Sequence, residues 1–318
     1  MEYSLKKEKK SLETQIVLNT PVLFLIFNRP DTTQRVFNAI KEAKPTRLYI
    51  GADGPREKFP NETKFCQSAR NIATNVSWKC EVKTLFRNQN LGCRKAVSQA
   101  IKWFFEHEPE GIILEDDCLP SQSFFIFCQQ LLEQFRNNNK IGAICGFYSN
   151  ELDYKPNYSY FFSRYLRVWG WAGWRRTIEG YDVDLKNFEK RNETWAKNIF
   201  KREDFFVKKY FEEIFDLVAK NIIDTWDAQL QYLLWEKNQN VIVASKNQIC
   251  NIGWDKATHA VKKDHNHGLK ISKISFPMKK LNFKERDQIA DNFIEKKSYK
   301  ITAFEFLKKL IKKINEKN

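Results

Sequence analysis

Three adjacent carboxylates, Glu115-Asp116-Asp117, follow the apolar run Gly111-Ile112-Ile113-Leu114 and precede Cys118-Leu119-Pro120-Ser121. Anions this close repel one another, so the cluster costs stability unless a cation or a basic group shares it. Oxygen donors of this kind suit Mg²⁺ or Mn²⁺, hard ions that reach a substrate's phosphates through one or two protein carboxylates. An isolated charged turn is the plain alternative.

Other residues in the chain bear on that choice. Asp53 stands directly before Gly54-Pro55, where a carboxylate can accept hydrogen bonds from a base or a ribose while glycine lets the chain turn. Asn28-Arg29-Pro30 closes an earlier apolar run, and Arg29 there is either a phosphate contact or an ordinary surface arginine. Asn90-Leu91-Gly92 leads into a helical pattern whose free N–H groups favour an anion. Arg94 and Lys95 in its first turn oppose the helix dipole, which points to an external anionic partner or to plain solvent exposure. Asp224 and Asp227 are three apart and share one face if that segment is helical, so either could serve as a general base or a cap. Trp226 offers Asp227 an apolar wall that would raise its basicity. His259 and the His265/His267 pair could complete an oxygen-rich metal site, or be loop histidines without a metal. No HExxH, P-loop or GxGxxG pattern occurs, and no Ser–His–Asp or Cys–His set can be assembled.

These residues need elements to hold them. The continuous runs Val22–Phe27, Arg47–Ala52, Gly111–Leu114 and Ile141–Gly146 read as strands buried on both faces, with polar residues at their ends. Residues 80–86 form a further strand candidate, and Val241–Ala244 a short one. Helices are predicted to Ala43 from a cap at Asp31 or Thr32, over Cys93–Glu106, over 121–136 opened by Ser121, over 203–220 and over 226–236. Residues 56–71 read as a loop leading into a helix. Alternating strand and helix predicts a parallel sheet with its ligand crevice at the strand ends. From 150 to 200 the periodicity is weak, and the tryptophan-rich stretch Trp169-Gly170-Trp171-Ala172-Gly173-Trp174 lies inside it.

The chain has 318 residues, 42% of them apolar, which supports one large α/β domain. A formal charge of +15 favours anionic partners: nucleic acid, phosphorylated substrates or an anionic membrane. The seven cysteines are odd in number and form no CxxC pair, which argues against a disulfide scaffold and for a reducing, cytoplasmic setting. Residues 1–11 lack the apolar core of a signal peptide, and no stretch is apolar enough to span a bilayer as a helix. In the tail, Phe304, Leu307 and Ile311 alternate with lysines at helical spacing, so that helix either lies on an anionic membrane or docks on its own domain.

The order Leu25-Ile-Phe-Asn-Arg-Pro30, Ala52-Asp-Gly54, Asn88-Gln-Asn-Leu-Gly92, Leu114-Glu-Asp-Asp117 and Trp226-Asp227 resembles a bacterial GT-A glycosyltransferase. It is similar to family 2 and to the N-acetylglucosaminyltransferase I group, which carries Glu-Asp-Asp in place of the usual Asp-X-Asp. The resemblance covers residues 20–260 and implies a GT-A fold, a single Rossmann-like, mostly parallel sheet flanked by helices. It implies a basic extension over 1–19, a nucleotide-sugar half over 20–146, an acceptor and catalytic half over 147–260, and a basic extension over 261–318 with the amphipathic helix. By the same resemblance Asp53 contacts the nucleotide base, Asp117 ligates Mn²⁺ or Mg²⁺, Asp116 contacts the ribose or assists the metal, and Glu115 orients the site. Asn28, Arg29, Asn90, Gly92, Arg94 and Lys95 complete the donor side. Asp227 is the base, with Asp224 as its rival because Ala228 replaces a second acid of the relatives. Trp169, Trp171, Gly173 and Trp174 line the sugar and the acceptor, and His259 resembles a late histidine offered to the metal or diphosphate.

The implied function is metal-dependent, inverting transfer of a sugar from a nucleotide-diphosphate donor, with uridine the expected nucleotide, to a glycan or lipid-linked acceptor in surface polysaccharide or lipooligosaccharide synthesis. The expected place is the cytoplasm, with peripheral contact on the inner face of the membrane. The alternatives are a sugar-nucleotide nucleotidyltransferase, which would want a Gly-rich basic loop near the first strand, and a non-enzymatic nucleic-acid- or glycan-binding protein. Acids clustered at strand ends would repel nucleic acid, so no nucleic-acid partner is expected.

Overall fold

The computed structural model describes residues 17–149, 154–186, 188, 196, 199–201, 204–253, 269–281 and 285–301. Its first half alternates strand and helix: β1 (Val22–Ile26), α1 (Pro30–Ala43), β2 (Arg47–Ala52), α2 (Glu62–Thr74), β3 (Glu81–Phe86), α3 (Gly92–His107) and β4 (Glu110–Glu115). A short β5 (Cys118–Pro120) comes next, then α4 (Gln122–Phe135) and β6 (Ile141–Cys145). The second half holds β7 (Tyr160–Ser163), β8 (Trp171–Trp174), α5 (Phe205–Ala219), α6 (Asp227–Glu236), β9 (Asn240–Ala244), β10 (Ile249–Asn251) and α7 (Gln288–Phe293).

Eight strands form one sheet in the order β3-β2-β1-β4-β8-β6-β9-β7, and β10 pairs with β5 beside it. The β3-β2-β1-β4 block is parallel throughout, and β6 runs parallel to β9. β8 is antiparallel to both β4 and β6, and β7 is antiparallel to β9. This is an α/β Rossmann-like fold with a mixed, mostly parallel sheet.

Both faces of the sheet are covered, which explains why the strands read as unbroken apolar runs. Val22, Phe24 and Ile26 of β1 face a core built with α1, α2 and α4. Leu23 and Leu25 face the opposite core, built with Ala100, Ile101, Phe104 and Phe105 of α3 and with α6. A third cluster joins Tyr165, α5 and Trp235.

Several boundaries differ from the sequence reading. Neither Asp31 nor Thr32 caps α1. Pro30 occupies its first turn and Arg29 precedes it without a side-chain cap bond, as suits a residue type whose missing N–H costs nothing there. The predicted cap at Ser121 is present, its hydroxyl accepting from Phe124 N at 3.2 Å. Residues 62–74, read as partly loop, are helical. The weakly periodic region 150–200 supplies β7 and β8, and β8 lies inside the sheet between β4 and β6. Residues 269–281 and 285–301 lie along β7 and the neighbouring loops. Ser159 N donates to Lys279 O and Asp287 N to Phe162 O. No described helix is long and apolar enough to cross a membrane, and the tail helix at 304–314 lies outside the described residues.

Candidate active site

The register aligns Leu25 with both Gly51 and Glu115, so β2, β1 and β4 end at one level. Three strand ends therefore meet above the sheet: Asp53 beyond β2, Phe27 to Arg29 beyond β1, and the three acids at the close of β4. A cavity of about 800 Å³ opens there. Arg29, Asp53, Asn90, Gly92, Glu115, Asp116, Asp117, Trp169 and Asp224 all line it, so residues up to 195 positions apart in sequence converge as the strand-end argument requires.

The acids divide by environment. Asp116 is 7% exposed, and its carboxylate accepts from Phe27 N at 3.1 Å, tying the end of β4 to that of β1. Burial, with Asp117 beside it, pushes its pKa up to about 7. Glu115 is raised well above the carboxylate range by burial and then by Asp117, Asp116 and Asp227. Asp117 is ion-paired, its Oδ2 lying 2.7 Å from Arg29 Nη1. The chain also crosses closely here. A Cβ on Gly253 would lie 2.3 Å from Asp117 Oδ2, so only glycine lets that backbone pass. β10 brings this crossing about, with Asn251 paired to Cys118 and Ile252 N donating to Asp117 O.

Asp53, expected to contact a base, lines the cavity and is also engaged by the chain itself. Its carboxylate accepts from the backbone N–H of Gly54, Leu91 and Gly92 and from Asn90 Nδ2, all between 2.9 and 3.1 Å. The acceptor capacity of one carboxylate is thereby largely filled. Asp53 pins the Asn90–Gly92 turn to the end of β2 and occupies two of the N–H groups at the start of α3 that were expected to meet a ligand anion. Gly92 has φ +78°, and a Cβ there would sit 3.2 Å from Asp224 Oδ2.

Other predicted residues are placed elsewhere. Arg94 is buried inside the wall, with Nη1 donating to Asn221 Oδ1 at 2.6 Å and Nη2 to Ile223 O at 2.5 Å. It also lies 3.6 Å from Asp224, so it fixes the 221–224 loop instead of facing the cavity. Lys95 points away and lines a second cavity. Asn28 touches Glu62 at 2.7 Å. Trp171 and Trp174 belong to the core at 0% and 2% exposure, because strand β8 is covered on both faces. Gly173 is in the same strand, a close approach to Thr177. Of the tryptophan stretch only Trp169 reaches the cavity, packed edge-on to Phe147 at 4.5 Å. Asp224 and Asp227 do not share a helical face, since α6 begins at Asp227. Asp224 faces the cavity, while Asp227 accepts from Thr225 Oγ1 and is absent from the lining. His259, His265 and His267 lie outside the described residues.

The cavity also contains residues that the sequence reading passed over. Arg56, Arg87, Asn251, Ser298 and Lys300 line it. Arg56 is held by Glu62, Nη2 to Oε1 at 2.6 Å, and lies over Phe59 at 4.3 Å. Burial opposes the charge on Glu62, but the hydrogen bonds from Arg56 and Asn28 outweigh it and keep its pKa low. Glu62 opens α2 behind Pro60-Asn61, the one local sign that a helix starts within the polar stretch.

No family model matches the chain, and no curated protein matches it. Solved structures resemble it distantly. HddC from Yersinia pseudotuberculosis is 11% identical with a TM-score of 0.32, covering 54% of this chain and 87% of that one. A UDP-glucose pyrophosphorylase complexed with UDP-glucose is 10% identical with a TM-score of 0.39, covering 74% and 94%. Values this low carry no activity across.

Proposed function

We propose that the chain is a nucleotide-sugar-dependent glycosyltransferase of the GT-A type, transferring a sugar from a nucleoside-diphosphate donor to an acceptor hydroxyl. The observation that supports it most is the meeting of Glu115, Asp116 and Asp117 with Arg29 in one strand-end cavity that Asp224 also lines. Burial first, and the neighbouring carboxylates after it, push Glu115 and Asp116 toward protonation, and a divalent cation relieves the repulsive part of that environment. The donor set fits Mn²⁺ or Mg²⁺ held by Asp117, with Glu115 beside it and substrate oxygens completing the shell, and not a protein cage. Among the described residues no group of three ligating side chains could hold an ion by itself. When bound, such an ion supplies charge neutralisation for the leaving diphosphate.

The protein's own residues do the rest in this reading. Arg56, Arg87 and Lys300 supply positive charge around the diphosphate. Trp169 presents an aromatic edge to a sugar ring. Asp224, exposed to the cavity, takes the proton as the acceptor oxygen forms its bond to the anomeric carbon. The bond from that carbon to the diphosphate breaks, and the nucleoside diphosphate leaves with the electron pair. Attack from the opposite face inverts the centre in one step.

A second reading, nucleotidyl transfer to a sugar phosphate, is favoured by one observation: four basic residues, Arg29, Arg56, Arg87 and Lys300, line the cavity, enough for a triphosphate. Against it, Asn28-Arg29-Pro30 leads from β1 straight into α1 with no Gly-rich loop. One screen separates them. Purified protein is incubated with sugar nucleotides, and separately with nucleoside triphosphates plus sugar 1-phosphates, with Mn²⁺ or with EDTA. Metal-dependent release of nucleoside diphosphate supports sugar transfer; release of pyrophosphate replaces it with the second reading; neither product from any pair sinks both.

A further inference from the structure

The eight-stranded sheet ends in two edges, β3 and β7. The chain covers one of them itself. Ser159 N donates to Lys279 O, Lys279 N to Ser159 Oγ and Asp287 N to Phe162 O, so the chain around 279 and 287 lies against β7. β3 has no such cover among the described residues.

The hydrogen bonding of β3 is one-sided. Glu81 N donates to Thr46 O and Arg87 N to Ala52 O, and a parallel ladder engages alternate residues. Glu81, Lys83, Leu85 and Arg87 therefore bond toward β2, and the N–H and C=O groups of Val82, Thr84 and Phe86 point away from it. None of these outward groups has a hydrogen-bond partner among the described residues. The strand holds no proline, glycine or bulge, and Val, Thr and Phe are the residue types that favour pairing. Glu81, Val82 and Thr84 are exposed. Lysine is the residue type that most often guards an edge. Here Lys83 is turned onto its own molecule, with Nζ 3.3 Å from Glu81 and 5.5 Å from the ring centre of Tyr49.

This edge is complementary to itself. Antiparallel pairing about a two-fold axis at Thr84 joins the outward residues of two copies through about six main-chain hydrogen bonds. It sets Val82 opposite Phe86 of the partner subunit, an apolar pair, and Glu81 opposite Arg87 of the partner subunit, an opposite-charge pair. Other centres fit less well. An axis at Lys83 sets the two Lys83 side chains against each other, and an axis at Leu85 sets Lys83 against Arg87 of the partner subunit. An axis at Val82 leaves Leu85 and Phe86 without a facing strand. The covering helices leave room, because α2 packs on β2 and α3 on β1 and β2. β2 and its copy would stand three strand spacings apart, about 14 Å, wider than the roughly 8–10 Å at which helices touch.

We propose that β3 is a self-association edge, and that a second copy of this chain pairs with it antiparallel about Thr84 to continue the sheet across a dimer. The pairing does not depend on what the cavity binds. It places Glu81 of the partner subunit beside Arg87, a residue that lines the candidate active site.

The test is sedimentation equilibrium of the full-length protein at about 0.15 M salt, where the +15 charge of each copy is largely screened. A reversible monomer–dimer equilibrium is expected within about 1–100 μM, the range of a small interface. Thr84→Pro removes the central outward N–H of each copy and none that β2 uses, so the melting temperature should be kept while association weakens at least about 10-fold. Glu81→Arg and Arg87→Glu each set like charges across the axis, and each should weaken self-association by about 10-fold. An equimolar mixture of those two variants restores the opposite-charge pairs and should dimerise close to wild type, a recovery that mere damage to the fold would not give. A protein that stays monomeric up to about 100 μM, or a dimer indifferent to Thr84→Pro and to both charge variants, overturns the proposal. So does a mixture that associates no more tightly than either variant alone.

Discussion

Asp53 and Asp117 are both acids at strand ends, and their surroundings give them opposite duties. Asp53 is filled by N–H donors from Gly54, Leu91 and Gly92. Asp53→Asn places an amide donor against some of those donors, so at least one is orphaned; a loss of about 1–3 kcal/mol is expected in urea unfolding, with a higher donor KM as the Asn90–Gly92 turn loosens. An unchanged midpoint would mean that the turn does not depend on Asp53. Asp117 touches Arg29 and opens into the cavity. Asp117→Ala should lower metal-dependent transfer by about 10²-fold or more with the fold kept, and Asp224→Asn should slow transfer while leaving donor binding near wild type. Retained turnover in the first at saturating Mn²⁺ removes the metal role, and a larger effect from Asp227→Asn than from Asp224→Asn returns the base to Asp227. The acids themselves were legible in the sequence because each follows an apolar strand. The hydrogen-bond saturation of Asp53 was not, since all its donors but Gly54 come from a turn 37 to 39 residues away.

At the scale of elements, the strands easiest to read were those buried on both faces, β1, β2, β4 and β6, whose length and aliphatic content leave little else for them to be. β7 and β8 escaped because they are four residues each, too short for a periodic signal. They also lack an aliphatic run, being Tyr-Phe-Phe-Ser and Trp-Ala-Gly-Trp; Trp171 and Trp174, which read as part of a sugar platform, are core instead. A second element whose role was hidden is the segment carrying α7. Arg164, 2% exposed, holds it through Glu295 at 2.6 Å and holds Asp204 at 2.8 Å. Tyr165 also donates to Glu295. This fixture delivers Ser298 and Lys300, the latter with φ +54°, to the candidate active site. Glu295→Ala leaves buried Arg164 with one carboxylate where it had two, so a loss on the order of 3 kcal/mol is expected in chemical denaturation. Donor KM should rise as Lys300 loses its anchor. A destabilised protein with wild-type KM would separate the anchor from the site.

The whole molecule responds to pH through the same buried cluster. Asp291 is 1% exposed and accepts from Ser163, with Arg286 Nε at 3.3 Å. Burial outweighs these partners and raises its pKa from 3.8 to about 7. A carboxyl raised on folding binds its proton more tightly in the native state than in the unfolded one. Its contribution is therefore most favourable below the unfolded value near 4, and it declines as pH rises through the window from about 4 to about 7. Three units correspond to about 4 kcal/mol at most. Asp204 works in the other direction. Burial acts to raise it, but the Arg164 and Lys201 hydrogen bonds prevail and hold it low, so its contribution is lost as acid is added. The pH profile of the wild type mixes these two with the raised Glu115 and Asp116, and the comparison with Asp291→Asn isolates one. The variant keeps the shape of the carboxyl and cannot ionise, so its stability relative to wild type should improve by a few kcal/mol between pH 4.5 and pH 8. Urea unfolding of both proteins at those two values reads the difference, and a gap that does not move with pH would show that Asp291 is ionised throughout, paired with Arg286 strongly enough to offset its burial.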